Sequence, residues 1–292
     1  MNARALACFA LLGGASLTLG CDDSLKRVSL IEETRVLGAR TEVQSDPLRS
    51  SPKPGESART RFFLAAPGGA PNVSYALSVC PVKPVFNGFP ECVGEPFAQA
   101  ERAAPSDAPV ELSFDVPASL DVEATPHALI RGTICADGHA PECTDGVATE
   151  VALELDLGTE TTSNQNPTFS DDSLTLDGMP WLAAPELTCG TLPEVSVKSS
   201  HRLGVALAAE NFEAISQSTS VDPSQETLLV SLFSDLGELK HAFLSLDQST
   251  PASARELSWS APAEPGVARF YFMVRDERAG QDFQTRALCV VP

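Results

Sequence analysis

The stretch VATEVALELDLG (147–158) places Val147, Val151, Leu153, Leu155 and Leu157 on one face, and Glu150, Glu154 and Asp156 on the other. Side chains of an extended chain alternate with a period of two, so this pattern describes a strand with one face buried and one solvated. The same alternation recurs at 34–43, 58–66, 72–82, 110–117 and 127–137. Turn-forming runs separate these segments: PGGAPN, NGFP, PSDAP and DGHAP. Several short strands joined by polar turns predict an antiparallel sandwich, and no long stretch carries the helical period.

The alternation stops at TETTSNQNPTFSDDS (159–173), a polar run that contains Asn-Pro. It reads as an interdomain linker. Strand-like segments resume at 194–199, 201–209, 226–233, 241–247, 254–262, 268–276 and 284–292. Within ARFYFMVRD, Tyr271 and Met273 fall on one face and Phe270, Phe272 and Val274 on the other. A strand apolar on both faces is expected at the centre of a sheet, covered on each side. The fold class expected is therefore all-β, with two tandem immunoglobulin-like antiparallel β-sandwich domains. Their boundaries are 31–158 for the first and 174–292 for the second. Trp259 is expected in the second core. Trp181, in the Pro-rich DGMPWLAAPEL, is expected to pack in the core or between domains, with partly exposed ligand stacking as the other reading.

The N-terminal residues have the features of an export signal: Arg4, an apolar run over 5–20, and small residues towards its end. The run is shorter than the ~20 residues that a membrane-spanning helix needs. Its close, SLTLGCDD (16–23), resembles a bacterial lipobox through Leu19, Gly20 and Cys21. It departs from that pattern at Thr18, three residues before the cysteine, although Leu17 is adjacent. The resemblance implies a lipoprotein signal peptide over 1–20, a lipid on Cys21 and a lipid-anchored tether over 21–30.

Cysteine parity points the same way. Of the 8 cysteines, Cys8 leaves with the signal. If Cys21 carries a lipid, an even six remain for an oxidising compartment. Six cysteines allow 15 connectivities, and the spacing favours one of them. Cys80 and Cys92 bracket a Pro- and Gly-rich loop, as do Cys135 and Cys143, which leaves Cys189 for Cys289. Zinc finds no support, because there is no CxxC pair.

W-x-A-P, Gly266 and ARFYFMVRDERAG resemble the C-terminal half of PKD-like and related immunoglobulin-like bacterial domains. Trp259, Ala261, Pro262, Gly266, Arg275, Asp276 and Gly280 carry the resemblance. The whole arrangement is similar to predicted lipoproteins of myxobacterial type, which implies a fold and a location but no activity.

The chain has a net charge of −19. This argues against nucleic acid and anionic lipid as partners. No H-E-x-x-H, G-x-S-x-G, G-x-G-x-x-G or phosphate-cradling P-loop pattern occurs. No enzyme activity and no cofactor are expected on this ground. Two clusters could in principle ligate a metal: Asp137, His139, Glu142 and Asp145 in the second cysteine loop, and Glu160, Asn164, Asn166, Asp171 and Asp172 in the linker. Turn formation and solubility are the readings preferred for them. Asn72-Val73-Ser74 is a formal glycosylation sequon. The function expected is a non-enzymatic structural or interaction role in the bacterial cell envelope. Membrane attachment would be through Cys21, and the partner an envelope protein or glycan. The alternative is a carbohydrate- or small-ligand-binding module, calcium-assisted, which requires exposed aromatics drawn from Trp181, Tyr75 and the phenylalanines.

Overall fold

In a computed structural model, residues 28–69, 71–82, 90–105, 108–144, 146–159, 163–184, 186–215, 224–250 and 255–292 are described. Residues 1–20, expected as a signal, and Cys21, Asp145 and Glu160 lie outside them. The first unit contains β1 (Arg35–Val43), β2 (Ser57–Ala65), β3 (Val73–Val82), β4 (Ala98–Ala104), β5 (Val110–Asp115), β6 (His127–Ala136) and β7 (Val147–Asp156). These form a three-stranded sheet in the order β1-β2-β5 and a four-stranded sheet in the order β4-β3-β6-β7. All the pairings are antiparallel.

The inward faces of the two sheets share one core, which includes Phe62, Leu77, Val79, Leu112, Phe114, Ile130, Ile134 and Leu155. The opening stretch behaves as its pattern requires at Val151, Leu155 and Leu157, all buried. Val147 is the exception: at the mouth of the strand it is 50% exposed. β4 (AQAERAA) escapes the alternation rule because its faces carry alanine and charge rather than aliphatic residues. Gly132 on β6 has φ +149°, and a Cβ there would meet the Ala76 carbonyl oxygen at 2.0 Å. Only glycine allows β3 and β6 to approach at that point.

The second unit is built from β8 (Leu174–Leu176), β9 (Met179–Pro180), β10 (Glu194–Ser196), β11 (Ser200–Val205), β12 (Ala214–Ile215), β13 (Ser224–Gln225), β14 (Leu228–Ser234), β15 (Glu238–Leu239), β16 (Phe243–Leu246), β17 (Glu256–Ser260), β18 (Gly266–Arg275) and β19 (Gln281–Val291). Two five-stranded sheets result, β10-β19-β18-β14-β16 and β15-β17-β11-β8-β9, with β12-β13 as a separate hairpin. β10 pairs with β19 in parallel. The shared core gathers Trp181, Trp259, Phe270, Phe272, Leu203, Leu232 and Leu288.

Trp181 is 1% exposed, so it belongs to the core and is no partly exposed contact. Its indole Nε1 donates to the Ala287 carbonyl at 3.2 Å. Its ring meets Phe270 edge-on at 5.1 Å, and Phe270 in turn meets Trp259 at 5.0 Å. Such edge-to-face contacts add to the burial of large rings.

Three disulfides clasp the two units: Cys80–Cys92, Cys135–Cys143 and Cys189–Cys289, with Cα separations of 5.5, 5.4 and 5.0 Å. They are the pairs that the spacing favours. Bonds of this kind indicate an oxidising, extracytoplasmic environment. Among the described residues, no helix is long and apolar enough to cross a membrane.

Candidate functional site

The outer face of β18 leads to the most elaborate polar site in the molecule. Phe270, Phe272 and Val274 point into the second core. Tyr271 and Met273, on the other face, are also buried, and what covers them is the first sandwich. Tyr271 packs with Ile31 and Ala65, and its hydroxyl donates to the Ala66 carbonyl at 3.4 Å. Burial pushes the Tyr271 phenol up to about 12. Phe63 stacks on Phe283 at 4.6 Å. A Cβ on Gly38 would lie 2.3 Å from the Met273 terminal methyl and 2.4 Å from Gln281 Oε1, so glycine permits the close approach. The two units therefore lie side by side, with β1 laid across β18 and β19.

Towards the β18–β19 turn this apolar seam gives way to a polar junction. The Ala39 amide donates to Gln281 Oε1 at 3.1 Å, and Arg40 pairs with Asp282 at 3.1 Å. The segment expected as a solvated linker runs through this junction. Asn164 and Asn166 are 2% and 4% exposed. Asn166 donates to the Thr41 carbonyl at 2.7 Å and accepts from the Gln281 amide at 3.0 Å. Asn164 Nδ2 is shared among Ser50 Oγ, Asp276 Oδ2 and the Arg278 carbonyl. Its Oδ1 is buried without a hydrogen-bond partner among the described residues. Buried amides bonded on both sides hold an interface in one geometry, because a partner left unpaired costs about 1–3 kcal/mol. The linker asparagines thus bind the protein's own groups, whereas Asp171 and Asp172 are exposed.

Carboxylates surround one guanidinium here. Arg278 pairs with Glu226 at 3.1 Å and with Glu213, and donates to the Ser163 carbonyl at 3.1 Å. Burial pushes the Glu226 carboxyl above its ordinary range, an effect the Arg278 hydrogen bond only partly offsets. Burial likewise raises Asp282, against the opposing Phe169 amide and Arg40. Asp276 is raised by burial too, although Asn164 and the backbone amides of Arg278 and Gly280 pull the other way. Gly280 is required beside it, since a Cβ would lie 2.2 Å from Asp276 Oδ2. A cleft of about 240 Å³ opens at the rim of this junction, lined by Ser51, His127, Asp156, Asn164 and Arg278 among others. Within it His127 Nδ1 lies 2.8 Å from Asp156 Oδ1. Clefts at domain junctions with a few convergent polar groups are where small ligands commonly bind.

A second constellation lies at the far end of the second unit. His201 Nδ1 is 2.7 Å from Asp177 Oδ2, and His201 Nε2 is 2.7 Å from Ser199 Oγ. The Arg202 amide donates to Asp177 Oδ1 at 2.9 Å. Sequence motifs give no hint of this grouping, because its members come from two separate turns. The Ser199 hydroxyl has one proton, and the Ser196 carbonyl oxygen competes with Nε2 for it. An activated nucleophile needs that proton directed at the base. On this geometry the chain of bonds ties the β10–β11 turn to the Asp177–Gly178 turn.

The remaining candidates are dispersed. Among the described residues, no group of three or more His, Cys, Asp or Glu is placed to hold a metal. Asp137 has φ 56°, as a tight turn requires, and Ser74 fixes the loop by donating to the Gly138 carbonyl at 2.9 Å. Tyr75 is 2% exposed and its hydroxyl donates to the Glu111 carbonyl, so it offers no stacking face. Phe243 is the single phenylalanine among the large exposed hydrophobic residues described, at 68%. The aromatic platform that sugar binding calls for is not assembled from Trp181 and Tyr75.

No protein-family model and no curated protein matches the chain. Among solved structures the chain is similar to red sea bream transglutaminase, at 10% identity and a TM-score of 0.26. The match covers 88% of this chain and 32% of that one, so the chain spans about a third of its neighbour's length. That neighbour is an enzyme, and the expectation that this chain is not one is withdrawn. A TM-score of 0.26 carries no argument for transglutaminase chemistry here.

Proposed function

We propose that the chain is an exported bacterial lipoprotein, anchored through Cys21, with a structural or interaction role towards a protein or glycan of the cell envelope. The observation that carries this reading is the cysteine bookkeeping. All six cysteines after residue 21 lie in disulfides, so once a signal carrying Cys8 is removed, no cysteine is left over for Cys21, beside Gly20, to pair with. An acyl chain there gives the thiol a use in an oxidising compartment. The polar junction supports the interaction role, because it makes two sandwiches into one stiff body whose loops are displayed in fixed relation.

Two measurements test this. Mass spectrometry of the mature N-terminus is expected to find an acylated Cys21, and a free thiol there overturns the anchor. Photo-crosslinking in intact cells, from loops bordering the junction cleft, is expected to give one reproducible adduct to an envelope protein or glycan. The absence of any adduct from these loops contradicts the interaction role.

A further inference from the structure

β7 is one edge of the four-stranded sheet, whose order is β4-β3-β6-β7. The Leu157 amide donates to the Pro126 carbonyl at 2.8 Å, and Asp156 stands opposite His127. Backbone groups along an antiparallel strand alternate between its two sides. That phase turns the amides and carbonyls of Thr149, Val151, Leu153 and Leu155 towards β6. Those of Ala148, Glu150, Ala152 and Glu154 point away from it, and among the described residues no backbone hydrogen bond reaches them. All four residues are exposed.

A free edge is a template for another strand, and proteins blunt it with short strands, proline, lysine or bulges. β7 has none of these. It runs 10 residues as VATEVALELD, with no register shift against β6. The other edges differ. β4, β5, β9, β10, β15 and β16 have two to seven residues each. β1 has 9 residues, but the second unit closes it: Gln281 Oε1 accepts from the Ala39 amide, and Asn166 donates to the Thr41 carbonyl. The inner face of β7 also lacks a neighbour, for Val147 is 50% exposed and Leu153 only half-buried.

The outer face limits what that neighbour can be. β7 places Glu150, Glu154 and Asp156 on it. β6 adds one guanidinium, Arg131 opposite Ala152, and His127, which lies beside Asp156 and Glu154. A second copy of β7 laid antiparallel against the first would gather the same carboxylates of both chains on one face, where like charges destabilise a pair. A strand with lysine or arginine on that face and aliphatic residues on the other meets both requirements. It sets opposite charges across the pair and covers Val147 and Leu153. The net charge of −19 also favours the approach of a basic partner.

We propose that the free edge of β7 receives an extended segment of a partner protein, one that alternates basic and aliphatic residues and adds a fifth strand to the sheet. This rests on the interaction role proposed above and not on the Cys21 anchor. The test uses the full mature chain and a fluorescein-labelled peptide of alternating lysine and valine, matched to β7 in length. Anisotropy is expected to show this peptide binding at least about tenfold tighter than a block peptide of the same composition, or than an alternating glutamate–valine peptide. Amide exchange followed by NMR is expected to slow at Ala148, Glu150, Ala152 and Glu154 when the lysine–valine peptide is added. Ala152→Pro removes a donor from the free edge and none from the β6 ladder, and is expected to weaken binding about tenfold. If that variant does not fold, the paired change Glu150→Lys and Glu154→Lys decides, and is expected to reverse the preference towards the glutamate–valine peptide. Equal binding of the block peptide, unchanged exchange at the four amides, binding that a folded Ala152→Pro variant retains in full, or a preference that the charge reversal leaves intact overturns the proposal. Slowing of the same amides by protein concentration alone also overturns it, since the occupant is then a second copy. Photo-crosslinking from the junction loops is scored without the peptide, so a failure of the β7 edge and a failure of the interaction role are read apart.

Discussion

Asn164 joins both units to the segment between them. Its amide nitrogen reaches Ser50 of the first unit and Asp276 of the second from a segment belonging to neither. Asn164→Ala removes the side-chain donor to buried Asp276 Oδ2, while the backbone amides of Arg278 and Gly280 still hold Oδ1, and is expected to cost about 1 kcal/mol, read as a lower urea midpoint. Glu42 gives a pH-dependent test. Burial alone would raise its carboxyl, but the hydrogen bonds from Arg59 and Arg40 outweigh it, and the pKa lies below the ordinary 4.5. A carboxylate whose pKa is depressed on folding stabilises the protein above its unfolded pKa, and that contribution is lost as pH falls through the folded value. Because Arg59 is largely solvated, the amount is about 0.5 kcal/mol. Glu42→Gln is expected to flatten the stability–pH curve below pH ~4.5 and to leave its shape at neutral pH unchanged. Neither residue stands out in the sequence. An asparagine in a polar run looks solvated until the other chain segments that close over it are known.

At the scale of elements, what the sequence showed well was alternation. β7 and β18 are both legible, because aliphatic and aromatic residues recur at the strand period. The two apolar faces of β18 correctly indicated a strand covered on both sides, but only the structure shows that one cover is the other sandwich. β4 was hidden by its alanines, and the β8–β9 hairpin by its shortness. Trp259 lies in the second core, as expected, and the charged run after β18 forms the turn in which Asp276 accepts from the Arg278 and Gly280 amides. The three disulfides differ in what they constrain. Cys189–Cys289 closes a span of 100 residues and the other two spans of 12 and 8. Loop-closure entropy gives the long bond up to about 4.7 kcal/mol and the short ones less. Replacing both Cys189 and Cys289 by alanine is expected to lower the denaturant midpoint more than either of the other paired replacements. Ranking the three double variants by urea unfolding checks this.

For the whole molecule, the polar stretch 159–173 read as an interdomain linker for which solubility was the preferred reading, and what its composition hid is that Asn164 and Asn166 are buried. Linker composition reports what a segment is made of, not what packs over it. Here Asn164, Asn166, Arg40, Gln281 and Asp282 close around the joint, while Tyr271, Met273 and Phe283 meet the first sandwich below it. The body is consequently expected to unfold in one cooperative step. Gly38→Leu drives a side chain into Met273 and Gln281, and is expected to split that step in two as the sandwiches part while each keeps its own core. Calorimetry of the variant beside the parent reads this directly.

The central claim is that the two sandwiches form one rigid side-by-side unit, and small-angle scattering of the secreted Cys21→Ser chain tests it most directly. The account predicts a pair-distance distribution with a single maximum, and a radius of gyration close to the ~18–19 Å of a compact chain of this length. A two-lobed distribution with a clearly larger radius, from sandwiches set end to end or moving independently, would contradict it.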